Sequence, residues 1–219
     1  MKNFFDIQQK GNVAEVYIYG DIVKYPYFDS DQNAARLVDQ LKNITADEIH
    51  VHIDSCGGSI GEGWGMYTAL KQHKAKIVTY ADGFVASAAL YPFLAGDQRI
   101  AGTVSAFFLH QGMTYAEGYA EDLRSAADEI EKLTKIGIQA FVESAGMEEA
   151  TVQQLMDNET WLTPQEALSY GICTEVATAA AKTTHSQSAR AKMVQKLTAP
   201  KQQEKQPKPA ENPIIRMFC

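Results

Sequence analysis

The sequence predicts an α/β fold, with one domain over residues 1–180 and a flexible basic tail over residues 181–219. Three observations carry this. Short β-branched or aromatic runs alternate with stretches whose apolar residues recur at helical spacing, the order expected of parallel strands joined by crossover helices. The 219 residues are 45% hydrophobic, enough to bury one substantial core but cramped for two full domains. Charge divides sharply: residues 1–181 carry 12 basic against 25 acidic side chains, whereas residues 182–219 carry 8 against 2.

In chain order, residues 13–20 read as a strand ending in Gly20, and residues 30–41 as a helix with Ala34, Leu37, Val38 and Leu41 on one face. Residues 48–54 form a β-branched strand running straight into Gly57-Gly58, followed by a helix over 61–72 and a strand over 77–80. A helix opened by Ser87 is expected over 86–95, and residues 100–110 read as one strand or two short ones that deliver His110. A long helix over about 117–144, closed by Gly146, spreads its charges around itself and is expected to project toward a partner. Two short helices follow, over 148–156 and 163–170; Thr163, Pro164 and Glu166 give the second its start, and Gly171 its stop. Past Ala177 the composition shifts to Ala, Thr, Ser, Lys, Gln and Pro, which cannot build a core.

Composition excludes several classes. A formal net charge of -7 argues against general nucleic-acid binding. Cys56, Cys173 and Cys219 lack paired spacing, so neither a disulfide framework nor a zinc site is indicated, and a reducing compartment is expected. The first residues lack the apolar stretch of a signal peptide, and no apolar run approaches the roughly 18 residues of a membrane span. A cytoplasmic protein is expected.

The chemistry-bearing residues cluster in a few places. A serine hydroxyl becomes a useful nucleophile only when a base takes its proton and a third group fixes that base. Ser87, His110 and Glu159 supply these three in order, with Ser87 expected at the first turn of a helix, where unpaired N–H groups and the helix dipole favour developing negative charge. Oxyanion donors are expected from the N–H of Ala88 and from the Gly57-Gly58 turn, because glycine lets main chain approach a ligand closely.

Four segments together are more specific than any one of them. Asp54-Ser55-Cys56-Gly57-Gly58-Ser59 resembles the Ser-Pro-Gly-Gly turn of the Clp protease proteolytic subunit family, and Gly83-Phe84-Val85-Ala86-Ser87-Ala88-Ala89 resembles its nucleophile segment. Phe108-Leu109-His110-Gln111 is similar to its Met-Ile-His-Gln strand end, and residues 161–172 to its Phe-x-Ser/Thr-x-x-Glu-Ala-x-x-Tyr-Gly-Leu segment. The resemblance covers about residues 13–177 in family order. It implies a ClpP/crotonase-type fold of repeated β-β-α units with a projecting helix, a serine endopeptidase needing no cofactor and no metal, and assembly into a homo-oligomeric ring, a heptamer or a tetradecamer, acting on protein or peptide substrates.

The departures narrow this further. The family's aspartate two residues before the aromatic is Glu159 here, with Asp157 as the competing carboxylate, and the prolines of the glycine turn and after His-Gln are Cys56 and Gly112. Glu159-Thr160-Trp161-Leu162-Thr163 resembles instead the ClpP-related head maturation (prohead) proteases of phages and prophages, which process scaffold and capsid precursors inside an assembling shell. About a dozen residues precede Val13, which argues against docking to a Clp ATPase. Three alternatives stay open: a housekeeping-type proteolytic subunit working with an unfoldase, an inactive structural ring subunit, and a crotonase-like acyl-CoA enzyme.

Other features have plainer readings. His50 and His52 share a strand face but have no third ligand nearby, so they read as packing at the edge of the sheet rather than as a metal pair. Cys56 reads as a small spacer, and Gly57-Gly58-Ser59 lacks the Gly-Lys-Ser/Thr of a phosphate loop. The basic tail reads as a solvated extension, although residues 213–219 are apolar enough to be a docking peptide or a cleavage product.

Overall fold

The computed structural model describes residues 8–28 and 30–177; the tail expected over 181–219 lies outside the described residues. The described chain is α/β, as the alternation requires. Gln8–Lys10 (β1) pairs antiparallel with Val13–Tyr19 (β2), and β2 runs parallel to Glu48–Ser55 (β3), which runs parallel to Lys76–Ala86 (β4). The crossovers are Ala34–Leu41 (α1) and Ile60–Lys71 (α2). Asn33 starts α1 by accepting the Arg36 N–H at 2.8 Å. Ala34 N–H donates to Glu62 at 2.8 Å, tying the two helices together.

β4 is the pivot of the sheet. Its first half, Val78–Ala81, pairs parallel with Gln98–Ala101 (β5); its second half, Phe84–Ala86, pairs parallel with Ala106–Leu109 (β6). The change of neighbour falls at a bulge: Ile53 lies opposite Ala81 and Ser55 opposite Val85, so Asp54 alone faces Asp82, Gly83 and Phe84. Asp54 fills the bulge, accepting the Phe84 N–H at 3.0 Å. Gly83 is required there because a Cβ would collide with the Asp54 carboxylate. The strand expected over 77–80 is longer in the structure. It continues to Ala86 because the bulge absorbs the register shift without ending the pairing.

After β4 comes a 3-10 turn, Ser87–Ala89, and then the short helix Leu90–Leu94 (α3), all five residues of which are buried. The single helix expected over 86–95 is therefore shorter and begins later. Ala120–Ala145 (α4) is the long helix; it ends at Gly146 in the left-handed region, φ 68°, as its glycine predicts. Its Thr134, Gly137, Ile138 and Phe141 are buried, while Leu123, Leu133 and Ile136 are exposed. Glu149–Asp157 (α5), Thr160–Leu162 (β7), Pro164–Ser169 (α6) and Glu175–Val176 (β8) complete the described chain. Thr163 and Glu166 form a reciprocal capping box on α6. β7 and β8 are too short to read from periodicity; β7 pairs antiparallel with β6, and β8 parallel with β5.

The core lies between helices and sheet, with Phe93, Phe107, Phe141, Ile53 and Leu109 among its fully buried side chains. Arg99 is buried too. Its guanidinium donates to the carbonyls of Ile172, Gly96 and Gly171 at 2.8, 2.9 and 3.0 Å, closing the α6–β8 connection onto β5. His50 and His52 do not sit at an edge: β3 is flanked by β2 and β4, and the His52 side chain is 5% exposed. Among the described residues no group of His, Cys, Asp or Glu could hold a metal ion, and no helix is long and apolar enough to cross a membrane.

Candidate active site

Two parallel strands, β4 and β6, end side by side. Phe84, Val85 and Ala86 face Ala106, Phe107 and Phe108, so the residues just past both ends emerge together. Those residues include Ser87 and His110. His110 Nε2 lies 2.8 Å from Ser87 Oγ, within hydrogen-bond reach.

Ser87 does not have the helical backbone expected of it. Its φ is 54°, and only one other described non-glycine residue, Glu159 at 47°, has a positive φ. A non-glycine residue held there costs on the order of 1–3 kcal/mol and persists only where the surroundings enforce it. The enforcing neighbour is Gly57. A Cβ at Gly57 would stand 2.5 Å from Ala86 O, 2.7 Å from Ala88 N and 2.8 Å from Ser87 Cβ, so only glycine lets the turn press against the serine. The strand-to-turn reversal aims Oγ out of the sheet toward His110.

The glycine turn is itself anchored. Ile22 N–H donates to Gly57 O at 2.8 Å, and Ser59 N–H to Ile22 O at 2.7 Å. Ser55 Oγ accepts the Gly57 N–H at 3.0 Å and donates to Gly20 O at 2.6 Å. Of the three expected oxyanion donors, Gly57 has its N–H already engaged, and its contribution is the close approach of its backbone. The N–H groups of Gly58 and Ala88 make no protein hydrogen bond among the described residues; Ala88 directly follows Ser87, and Gly58 directly follows Gly57, whose Cα packs against Ser87. Ser55 was not singled out from the sequence, although it stands in the same Ser-Cys-Gly-Gly run.

Burial lowers the pKa of His110 below the ordinary histidine value of 6.5; a hydrogen bond with the Gln111 main chain and the charge of Glu159 oppose it. At neutral pH the ring is a neutral base. Phe108 stacks on it with centroids 5.3 Å apart, Trp161 stacks on Phe108 at 4.5 Å, and Phe84 meets Trp161 edge-on at 5.7 Å. This aromatic wall was not read from the sequence, because its members come from three separate strands.

The two candidate carboxylates part ways. Asp157 accepts from the side-chain amides of Gln111 and of Gln153. Glu159 is exposed and acts on His110 through its charge; no hydrogen bond joins the two among the described residues.

A family model described as Clp protease matches residues 17–180. The ATP-dependent Clp protease proteolytic subunit 2 of Treponema denticola is 27% identical, covering 76% of this chain and 82% of its own. The proteolytic subunit 1 of Prochlorococcus marinus subsp. pastoris is 31% identical, covering 65% of this chain and 76% of its own. The solved structure of a ClpP1 mutant from Listeria monocytogenes superimposes with a TM-score of 0.64 at 25% identity, over 74% of this chain and 90% of that one.

Proposed function

The chain belongs to the Clp protease family, and on that premise we propose that it is a serine endopeptidase in which Ser87 is the nucleophile and His110 its base. The observation that carries the proposal is the 2.8 Å contact between Ser87 Oγ and His110 Nε2, made by a serine whose backbone is held at φ 54°. His110, kept neutral by burial, takes the hydroxyl proton as Oγ attacks a peptide carbonyl. Gly58 and Ala88 N–H groups receive the developing oxyanion, with Gly57 holding the turn against them. Glu159 supports the imidazolium electrostatically, His110 then protonates the leaving amine, and water releases the acyl group. No step calls for a cofactor.

The biological setting proposed is maturation of a phage or prophage head, with scaffold and capsid precursors as substrates; Glu159 and the Glu-Thr-Trp-Leu-Thr segment support it. A second reading is favoured by the relatives, which are named as proteolytic subunits of an ATP-dependent protease. A homo-oligomeric ring is proposed for either, supported by the exposed Leu123, Leu133 and Ile136 of α4.

The test is covalent labelling. Purified protein treated with a fluorophosphonate should gain one adduct, located at Ser87 by mass spectrometry and absent in Ser87→Ala. An adduct elsewhere, or none, sinks the serine hydrolase reading. Cleavage of a cognate scaffold without ATP or an unfoldase separates the two settings.

A further inference from the structure

Away from Ser87 and His110, the densest set of titratable side chains spans β2, β3 and β4. The ring of His52 is sandwiched between Tyr17 and Tyr80, at centroid distances of 5.0 and 4.7 Å and interplanar angles of 18° and 9°. Its Nδ1 lies 2.8 Å from Asp82 Oδ2 and its Nε2 3.0 Å from Glu15 Oε2. A carboxylate can only accept, so a ring with a carboxylate oxygen at each nitrogen satisfies both contacts only as the doubly protonated cation. Tyr19 donates to the same Asp82 oxygen at 2.5 Å.

The surrounding charges extend from this pair. Glu15 Oε1 lies 3.3 Å from His50 Nδ1, His50 Nε2 lies 2.7 Å from Glu48 Oε1, and Lys76 Nζ lies 3.2 Å from Glu48 Oε2. Asp54 on β3 acts on Tyr19, and Glu175 on β8 acts on Tyr80.

Asp82 is also the first residue of the β4 bulge. The next two residues, Gly83 and Phe84, are set against Asp54, and at Phe84 the strand begins its pairing with β6. Whatever fixes Asp82 fixes where the β4–β6 ladder starts, and that ladder ends at Ser87 and His110.

We propose that protonated His52 is a positioning residue for the protease reaction: by holding Asp82 it pins the Asp82–Phe84 bulge, and through the bulge the placement of Ser87 against His110. This rests on the reading of Ser87 and His110 as the catalytic pair. Burial works against the cation, but the bonds to Asp82 and Glu15 outweigh it and lift His52 to about 9. Burial likewise works against the Glu15 carboxylate, and its bonds to His50 and His52 outweigh that, holding it at about 2. The phenols do not compete, since burial and the nearby carboxylates raise Tyr17 and Tyr80 to about 12. A histidine raised by its partners keeps its tie below the ordinary value of 6.5 and loses it as pH rises through about 9. His50 is raised as well, by Glu15 against burial and with help from Glu48, so it serves as the control.

The experiment follows the second-order rate of fluorophosphonate labelling of the full chain from about pH 5 to 10, with circular dichroism at each pH to score folding. The wild type is expected to lose rate through about pH 9 while still folded. Asp82→Asn should move that falling limb down by about one pH unit or more, since it removes a charge that favours the cation. His52→Gln should lower the plateau and abolish the limb; His50→Gln should leave it in place. A limb that is absent in the wild type, or that stays put in Asp82→Asn, overturns the proposal. Two wild-type measurements do not depend on activity or on a variant folding. Nitrogen-15 spectra of the imidazole should show His52 doubly protonated at pH 8, and a neutral ring there overturns the proposal. Amide exchange at Phe84–Ala86, corrected for intrinsic base catalysis, should accelerate as His52 deprotonates. If no adduct forms at any pH, the protease reading fails, and these two measurements still decide whether His52 pins the bulge.

Discussion

Ala86 of β4 lies directly opposite Phe108 of β6, and that pairing sets the distance between the proposed nucleophile and base. Ser87 follows Ala86 immediately, and His110 stands two residues beyond Phe108. Their 2.8 Å contact is a consequence of strand register, so it is as rigid as the ladder that carries it. A one-residue slip would turn every side chain of β6 to the other face and remove His110 from Ser87. Changes to this region should accordingly show as lost labelling before they show as lost folding.

Gly57→Ala tests the backbone contact behind Ser87. The added methyl would meet Ala86 O at 2.5 Å and Ala88 N at 2.7 Å, and the residue already sits at φ 91°. Labelling at Ser87 should fall by about a hundredfold, comparable to loss of an oxyanion donor, and the melting temperature should drop with it. Labelling within about threefold of the wild type would show that the turn is not pressed against the serine.

Ser55→Ala removes two bonds at once, to Gly20 O and from Gly57 N–H. Stability should fall by about 1–3 kcal/mol in denaturant titration, because a buried donor is left unmatched. Labelling should slow as the turn loosens, and Ser55→Thr, which retains a hydroxyl, should recover part of both.

Glu159→Gln separates the two carboxylates. Removing the charge that favours imidazolium should lower the His110 pKa further and move the acid limb of labelling, already below 6.5, to lower pH. The rate should drop only about tenfold, short of the roughly 10⁴-fold loss seen where a triad acid bonds its histidine directly. Asp157→Asn, whose carboxylate is occupied by Gln111 and Gln153, should leave the limb where it is. The reverse pattern would make Asp157 the third member.

Arg99→Met tests folding apart from chemistry. It would strip the carbonyls of Gly96, Gly171 and Ile172 of their partner and should cost about 3 kcal/mol or more in equilibrium unfolding. Labelling of the folded protein at 25 °C should be preserved, because Arg99 lies on β5, off the β4–β6 ladder.

The sequence by itself determined the alternation of elements and pointed to the residues proposed as reactive groups. The α6 capping box, Gly146 closing α4 and the strand entering Gly57-Gly58 are local signals, in which a few adjacent residues satisfy their own backbone, and they stand where periodicity placed them. Ser87 and His110 were legible as a pair because four short segments occur together in order. The tertiary structure alone decided the rest, because it depends on residues distant in the chain. Ser87 takes a left-handed backbone in place of a helical one where Gly57, in the turn after β3, presses against it. β4 runs on past the expected end at Tyr80 because Asp54 and β6 provide partners for the residues beyond it. His52, a packing residue by its sequence context, is buried between carboxylates that converge on its ring from two neighbouring strands. Local propensity can name a nucleophile and a base; their distance is set by register and burial, which no single segment encodes.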